Sequence, residues 1–344
     1  MKILITGSPG WLGDRFVQAV EGKIAELKAL VPAHIEEIRC LVLPELEARF
    51  KSDHPHVRPI VGDMTRKDSL KSLFEGATGA LLFHIAGIVH ATQGVKQFVE
   101  INVEGTRNLL ELAIKNNLQR MIVVSSNSPI GCNPQPGHVF TEEAPYHPYM
   151  AYGRSKMQME MLVQEAFEER RIETVILRPC WFYGPGQPPR QTRFFSLVKS
   201  GKVPMGENKR SMSYVDNVCQ ALLKTAVHGN VNGKTYWITD EKPYTMSQIV
   251  DTVERLLEKE FSIPVAHKRL HVPSLVCEAA RVSDAVLQKM GIYQQQIHVL
   301  SEVNKTIAAS CAKAERDFGY KPLVGLEEGM RRSIRWCLDH GRMI

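Results

Sequence analysis

No two of the seven cysteines, at positions 40, 132, 180, 219, 277, 311 and 337, form a C-x-x-C pair, and none shares a ligand spacing with the 12 histidines. This excludes a zinc ribbon, a dithiol redox motif and a disulfide framework. The thiols are expected to be reduced and mostly buried, with no metal bound, in a reducing compartment. Nothing resembles a secretory leader: Ile3-Leu4-Ile5 is cut short by Gly7. No stretch reaches ~18 uninterrupted apolar residues, so no membrane span is expected and the cytoplasm is the default. There is also no basic patch, since the formal charge of +6 comes from 43 basic residues against 37 acidic ones, scattered along the chain. A solvated surface accounts for them without nucleic acid. Repeats and low-complexity segments are missing too. What remains is an ordinary globular composition, 44% hydrophobic and 23% charged over 344 residues, enough for one large domain or two smaller ones.

The apolar run Lys2–Thr6 ends in Gly7-Ser8-Pro9-Gly10-Trp11-Leu12-Gly13, and a helical pattern follows from Asp14 to about Leu30. Strand, glycine turn and helix in that order are the context of a dinucleotide fingerprint. Gly7 permits the tight turn, Gly10 lets backbone approach a pyrophosphate at the helix N-terminus, and Gly13 lets helix pack on strand. A second strand, Ile38–Leu43, ends on Val42, Leu43 and Pro44, where an acid for NAD or an arginine for NADP is expected. Glu45 and Glu47 just beyond would repel a 2′-phosphate, which favours NAD and leaves NADP open. A third strand, Val57–Val61, leads to Gly62-Asp63; Asp63 suits an adenine amine or a simple turn. The fourth, Ala80–His84, leads to Ile85-Ala86-Gly87, small residues that suit a cofactor lying on the backbone.

Helical periodicity runs from Val95 to Lys115 and holds Gly105, whose cost of about 1 kcal/mol inside a helix signals close packing. The strand Met121–Val124 delivers Ser125-Ser126-Asn127-Ser128 to the sheet edge where ligands bind. After a loop over Pro129–Pro148, a helix from Met150 to Arg170 carries Tyr152-Gly153-Arg154-Ser155-Lys156. A tyrosine and a lysine four apart share a helix face, so the ammonium can favour the ionised phenol. A strand Thr174–Pro179 follows, and strand alternates with helix to about residue 180, predicting a doubly wound parallel α/β sheet. The boundaries expected are a Rossmann-type domain over 1–180 plus about 213–230, and a smaller discontinuous C-terminal substrate domain over about 181–212 and 231–344.

Taken together, these motifs resemble the extended short-chain dehydrogenase/reductases, which include nucleotide-sugar epimerases and dehydratases, dihydroflavonol reductases and 3β-hydroxysteroid dehydrogenases. The resemblance rests on Thr6-Gly7-x-x-Gly10-x-x-Gly13, His84-Ile85-Ala86-Gly87, Asn102-Val103-Glu104-Gly105-Thr106, Ser125-Ser126 and Tyr152-x-x-x-Lys156. Arg178-Pro179 with Tyr183-Gly184-Pro185-Gly186, Tyr214–Val218 and the run Ala312–Pro322 extend it over nearly the whole chain. It implies that Ser126 fixes the substrate oxygen, Tyr152 exchanges its proton and Lys156 supports the phenolate and the nicotinamide ribose, with Asn102 as a further catalytic residue. It further implies that NAD, or NADP, is held by Gly7, Pro9, Gly10, Trp11, Leu12, Gly13, Asp63, Met64, Ala86, Gly87, Asn102, Tyr152, Lys156 and Pro179. Members of such a family often pair through the helices at 95–115 and 150–170, so a homodimer is expected.

One departure is informative. Where epimerases carry an asparagine for the substrate diphosphate, this chain has Trp181, followed by Phe182. An indole suits an apolar, ring-shaped small-molecule substrate better than a sugar nucleotide. Trp181, Tyr183 and Ser126 are therefore expected at the substrate. The first expectation is an NAD(P)-dependent oxidoreductase acting on a secondary alcohol or ketone. The second is a nucleotide-sugar epimerase or dehydratase with tightly held NAD, in which Arg210 supplies the missing phosphate contact. A binding protein that has lost catalysis is the third, and the intact Ser126, Tyr152 and Lys156 argue against it.

Overall fold

The computed structural model describes residues 1–344 except Pro136 and Glu207. Six strands match the expected segments: β1 (Lys2–Thr6), β2 (Glu37–Val42), β3 (Val57–Val61), β4 (Leu81–His84), β5 (Arg120–Val124) and β6 (Glu173–Pro179). β1, β4 and β5 are mainly apolar, with polar residues only at their ends, and are buried on both faces, as parallel strands covered by helices must be. A seventh strand, Lys234–Ile238, pairs with β6, and the order across the sheet is Lys234–Ile238, β6, β5, β4, β1, β2, β3, all parallel. This is a Rossmann-type α/β fold whose strand order reverses at β1 and β4.

That seventh strand corrects the expected boundaries, which left 231–344 outside the sheet. Thr235-Tyr236-Trp237-Ile238 is buried throughout, and Phe318 of the helix Ala312–Phe318 meets Tyr236 edge-on at 5.0 Å. The run was apolar enough for a central strand but followed no crossover long enough to mark it. Outside the sheet, a separate cluster gathers Phe195, Met205, Tyr214, Val253, Leu257, Met330 and Ile334.

Two helices also differ from expectation. The pattern from Asp14 to Leu30 is a helix Trp11–Val20 and then a 3-10 turn Ala25–Leu30. Gly22, with φ +73°, ends the first. Between 95 and 115 the helix Lys96–Val99 passes through a wide π turn, Glu100–Glu104, into Gly105–Lys115. A Cβ on Gly105 would lie 2.5 Å from Met64 Cε, so the glycine lets that helix seat against the turn after β3. The helix Met150–Glu168 is as expected. The loop Pro129–Pro148 is described apart from Pro136, which lies outside the described residues. All seven cysteines are free thiols. Among the described residues no helix is long and apolar enough to cross a membrane.

Candidate active site

The turns after β1 and β4 meet at the point where strand order reverses, and the chain there is locked by one row of hydrogen bonds. Thr6 Oγ1 accepts from the Ile85 and Ala86 amides at 3.2 and 3.1 Å and lies 2.8 Å from His84 Nδ1. His84 Nε2 lies 2.8 Å from Thr106 Oγ1, whose own proton goes to Asn102 O at 2.7 Å. Because Thr106 is already donating, Nε2 must carry the ring proton and Nδ1 must accept from Thr6. His84 is therefore neutral, in keeping with burial and the nearby Lys156 charge, which push it down to about 3.

Above this row the glycine turn forms a cradle. Cβ atoms on Gly10 and Gly13 would lie 2.5 and 2.0 Å from Gly7 O, and one on Gly7 would lie 2.8 Å from Ala86 N. Gly7 also has φ +96°, a conformation that glycine alone adopts freely. The turn can fold on itself this tightly only with glycine at these positions, which leaves bare backbone at the helix N-terminus, where a pyrophosphate would be held.

A cavity of about 700 Å³ runs from this cradle along the sheet edge. Its walls include the expected cofactor residues Gly7, Pro9, Gly10, Trp11, Leu12, Gly13, Asp63, Met64, Ala86, Gly87, Tyr152 and Lys156. Leu43 and Glu45 stand at one end, and Ile88, Val89, Phe182 and Arg190 close the other. Asp63 is partly a turn residue: its Oδ1 accepts from Thr65 N at 2.9 Å and Thr65 Oγ1 at 2.8 Å, which leaves Oδ2 for a ligand. The residues present fit a dinucleotide.

Tyr152 faces this space, half-buried against Phe98 at 5.9 Å. Burial pushes its phenol up to about 12. The expected Ser126 is not among the lining residues: its hydroxyl is directed to Ser128 Oγ at 3.4 Å. Lys156 is 4% exposed, and its Nζ donates to Val124 O at 2.9 Å. Burial lowers it to about 8. The expected pairing of ammonium and phenol thus takes a different form. The two share a helix face and a cavity, but the ammonium is anchored on the Val124 carbonyl of β5. Neighbouring Ser125 lines the cavity with a hydroxyl that has no protein partner among the described residues.

Several expected contacts are corrected. Asn102 does not line the cavity: its amide accepts from Ile88 N at 2.9 Å and donates to Ile88 O at 3.1 Å and Ser155 Oγ at 3.0 Å. It ties the loop after β4 to the Tyr152 helix, which makes it a positioning residue. Pro179 continues β6 in register with Ile238 and is buried behind the cavity. Trp181 packs edge-on against Phe194 at 5.6 Å in the smaller lobe. Tyr183 is 4% exposed and donates to Asp240 Oδ2 at 2.6 Å. In the short strand Trp181–Tyr183 alternate side chains face opposite ways. The middle residue, Phe182, therefore takes the cavity side, 6.0 Å from Trp11. Arg210 is spent on Glu302 O at 2.5 Å and does not reach the cavity. Arg190 does, and nothing in the motifs marked it.

A glycine cradle where the strand order of a Rossmann sheet reverses, with Tyr152 and Lys156 opening on the same cavity, has the form of a dinucleotide site. Residues 3–238 match the NAD dependent epimerase/dehydratase family, and the chain belongs to it. It is 44% identical to the uncharacterized protein y4nL of Sinorhizobium fredii, over 99% of this chain and 96% of that one. It is 26% identical to the 3 beta-hydroxysteroid dehydrogenase type 7 of Mus musculus, over 97% and 94%. The fold is shared with the dTDP-glucose 4,6-dehydratase DesIV of Streptomyces venezuelae, solved with NAD bound, at a TM-score of 0.74 and 23% identity over 98% and 97% of the two chains.

Proposed function

We propose that this protein interconverts a secondary alcohol and a ketone on a fairly apolar, ring-shaped substrate, with NAD as hydride acceptor or donor. The observation that carries this is the Tyr152 phenol at a cavity end walled by Ile88, Val89 and Phe182. The steroid dehydrogenase relative supports the same substrate class. When bound, NAD supplies the hydride chemistry, and the glycine cradle would hold its pyrophosphate. Ser126 Oγ binds the substrate oxygen and sets the carbinol beside the phenol. Tyr152 Oη takes the hydroxyl proton during oxidation and returns one during reduction. Lys156, protonated at neutral pH, keeps a positive charge on the Tyr152 side of the cavity. Asn102 holds the loop and the helix that align these groups.

A nucleotide-sugar epimerase or dehydratase is the second reading, favoured by one observation: a cation, Arg190, opens on the cavity. The two readings separate on net cofactor turnover, which an epimerase does not show. The test is a panel of cyclic alcohols, ketones and sugar nucleotides followed by reduced-nicotinamide absorbance. The Tyr152→Phe variant should lose roughly 100-fold or more in kcat while its NAD affinity is unchanged. A fully active Tyr152→Phe enzyme would sink both readings.

A further inference from the structure

We infer that Gln288, through its bond to the Ala151 amide, is a positioning residue for Tyr152, held in orientation by Asp284 and His298. This deepens the proposed alcohol oxidation and rests on it for the role of the phenol. The helix that carries Tyr152 is poorly started by its own residues. Its first residue, Met150, has φ +55°, a left-handed conformation that a methionine rarely adopts, and Tyr149 before it supplies no side-chain cap. The first amides of a helix need acceptors from outside it. Ala151 N finds one 137 residues away, donating to Gln288 Oε1 at 2.9 Å. Ala151 immediately precedes Tyr152, so this bond fixes the backbone from which the phenol projects.

Gln288 is not free to turn. Its Nε2 donates to Asp284 Oδ1 at 2.9 Å, and Asp284 Oδ2 lies 2.8 Å from His298 Nδ1. The carboxylate accepts from both, so the amide turns its nitrogen to Asp284 and its oxygen to Ala151. All three side chains are buried, and Asp284 has no arginine or lysine partner among the described residues. Gln288 and Asp284 lie one turn apart on the helix Ser274–Lys289, and His298 comes from the next helix, Gln295–Glu302, so the chain of bonds also ties the two helices together. The same pair of helices and the turn between them support the site elsewhere. Ser301 Oγ lies 2.7 Å from Tyr149 OH, Gly291 O accepts from Val95 N at 3.1 Å, and Tyr293 OH lies 2.6 Å from His90 Nδ1. Tyr293 meets Phe98 edge-on at 5.3 Å, and Phe98 packs on Tyr152 at 5.9 Å. The loop after β4 and the start of the Tyr152 helix thus lean on one support, and Gln288 is its contact next to the phenol.

The test reads Tyr152 directly and needs no substrate. Full-length protein grown with 3-fluorotyrosine gives a fluorine resonance for Tyr152, assigned by its loss in Tyr152→Phe. In Gln288→Leu, and in Gln288→Glu, which keeps the shape but sets a second carboxylate against Asp284, that resonance should move by more than its linewidth. Those of Tyr214, Tyr236 and Tyr320, packed in other apolar clusters, should stay in place. Adding Asp284→Asn to Gln288→Glu exchanges amide and carboxylate and rebuilds each bond of the chain, so the double variant should return the resonance to its wild-type position. On whichever cyclic alcohol, ketone or sugar nucleotide turns over, both single variants should lose roughly 10- to 100-fold in kcat, with KM and NAD affinity within about twofold of wild type. The double variant should regain that kcat. An unmoved Tyr152 resonance overturns the proposal, and so does a double variant that stays displaced, since Gln288 would then only fill space. Movement of Tyr214, Tyr236 and Tyr320 as well would make Gln288 a residue of the whole fold, which also overturns it, as does a wild-type kcat beside a displaced resonance in an enzyme that needs Tyr152. A fully active Tyr152→Phe enzyme, by contrast, sinks the acid/base reading and leaves the resonance to decide on Gln288, so the two failures are distinguishable.

Discussion

Lys156 has a cost that its spacing from Tyr152 does not reveal. The ammonium is buried, meets no carboxylate and is held by the Val124 carbonyl, and burial lowers it from 10.5 to about 8. Keeping that charge inside the fold costs about 3 kcal/mol, against which the bond to Val124 returns roughly 1 kcal/mol. The native value lies below the unfolded one. Between about 8 and 10.5 the unfolded chain therefore holds a proton that the native state has released, and stability rises with pH across that window. Below it both states are protonated and the cost is constant. Lys156→Met should therefore unfold about 2 kcal/mol harder than wild type in urea near neutral pH, and the gap should close as the pH approaches 10. Parallel pH profiles for the two proteins would refute this. At this scale the sequence was legible where chemistry needs a fixed residue type at a fixed spacing, as with Tyr152, Lys156 and the glycines. Trp181, Tyr183 and Arg210 went astray because the direction of a side chain depends on strand parity and on partners that are distant in sequence, Asp240 and Glu302.

One ion pair fixes the helix that carries the site against its strand. Glu160, one turn beyond Lys156, receives Arg178 of β6 through Nη2 at 2.6 Å and Nε at 3.0 Å, and Tyr146 OH at 2.8 Å, with Glu160 and Arg178 buried and Tyr146 half-buried. Arg178 Nη1 has no hydrogen-bond partner among the described residues, but the guanidinium lies 5.5 Å from the ring centroids of both Tyr146 and Trp237, which accounts for the free edge. Removing one member strands a buried charge. Arg178→Met and Glu160→Leu should each cost about 3–5 kcal/mol in denaturant unfolding, whereas the double variant should recover most of the loss. Additive losses would show that the two side chains do not act as a pair. Elements themselves were legible from period and burial, to within a residue or two for the six strands. The seventh was missed because Lys234–Ile238 arrives after the pattern of alternating strand and helix has broken down, so its place beside β6 depends on the packing of residues 312–318 far along the chain.

Across the molecule, one cavity collects walls from the sheet edge and, through Phe182 and Arg190, from the segment after β6, so a ligand filling it ties the two together. The cofactor end decides which dinucleotide does so. β2 ends at Val42, and Leu43 and Glu45 line the cavity where a 2′-phosphate would lie, with no arginine or lysine at that end among the lining residues. A carboxylate facing a phosphate in a half-enclosed site is repulsive, and nothing there offsets it. Binding to the native state alone stabilises by RT ln(1 + [L]/Kd), about 2.7 kcal/mol at a ligand concentration 100 times Kd. NAD should therefore raise the thermal midpoint in a single cooperative transition, and NADP at the same concentration should raise it far less. Replacing Leu43 by Arg and Glu45 by Ser should reverse that order without moving the unliganded midpoint by more than a degree or two, since Glu45 is exposed and makes no ion pair among the described residues. If NADP matched NAD in wild type, Glu45 would not face the ribose, and the orientation assigned to the whole cavity, adenine at Glu45 and nicotinamide at Tyr152, would have to be turned around.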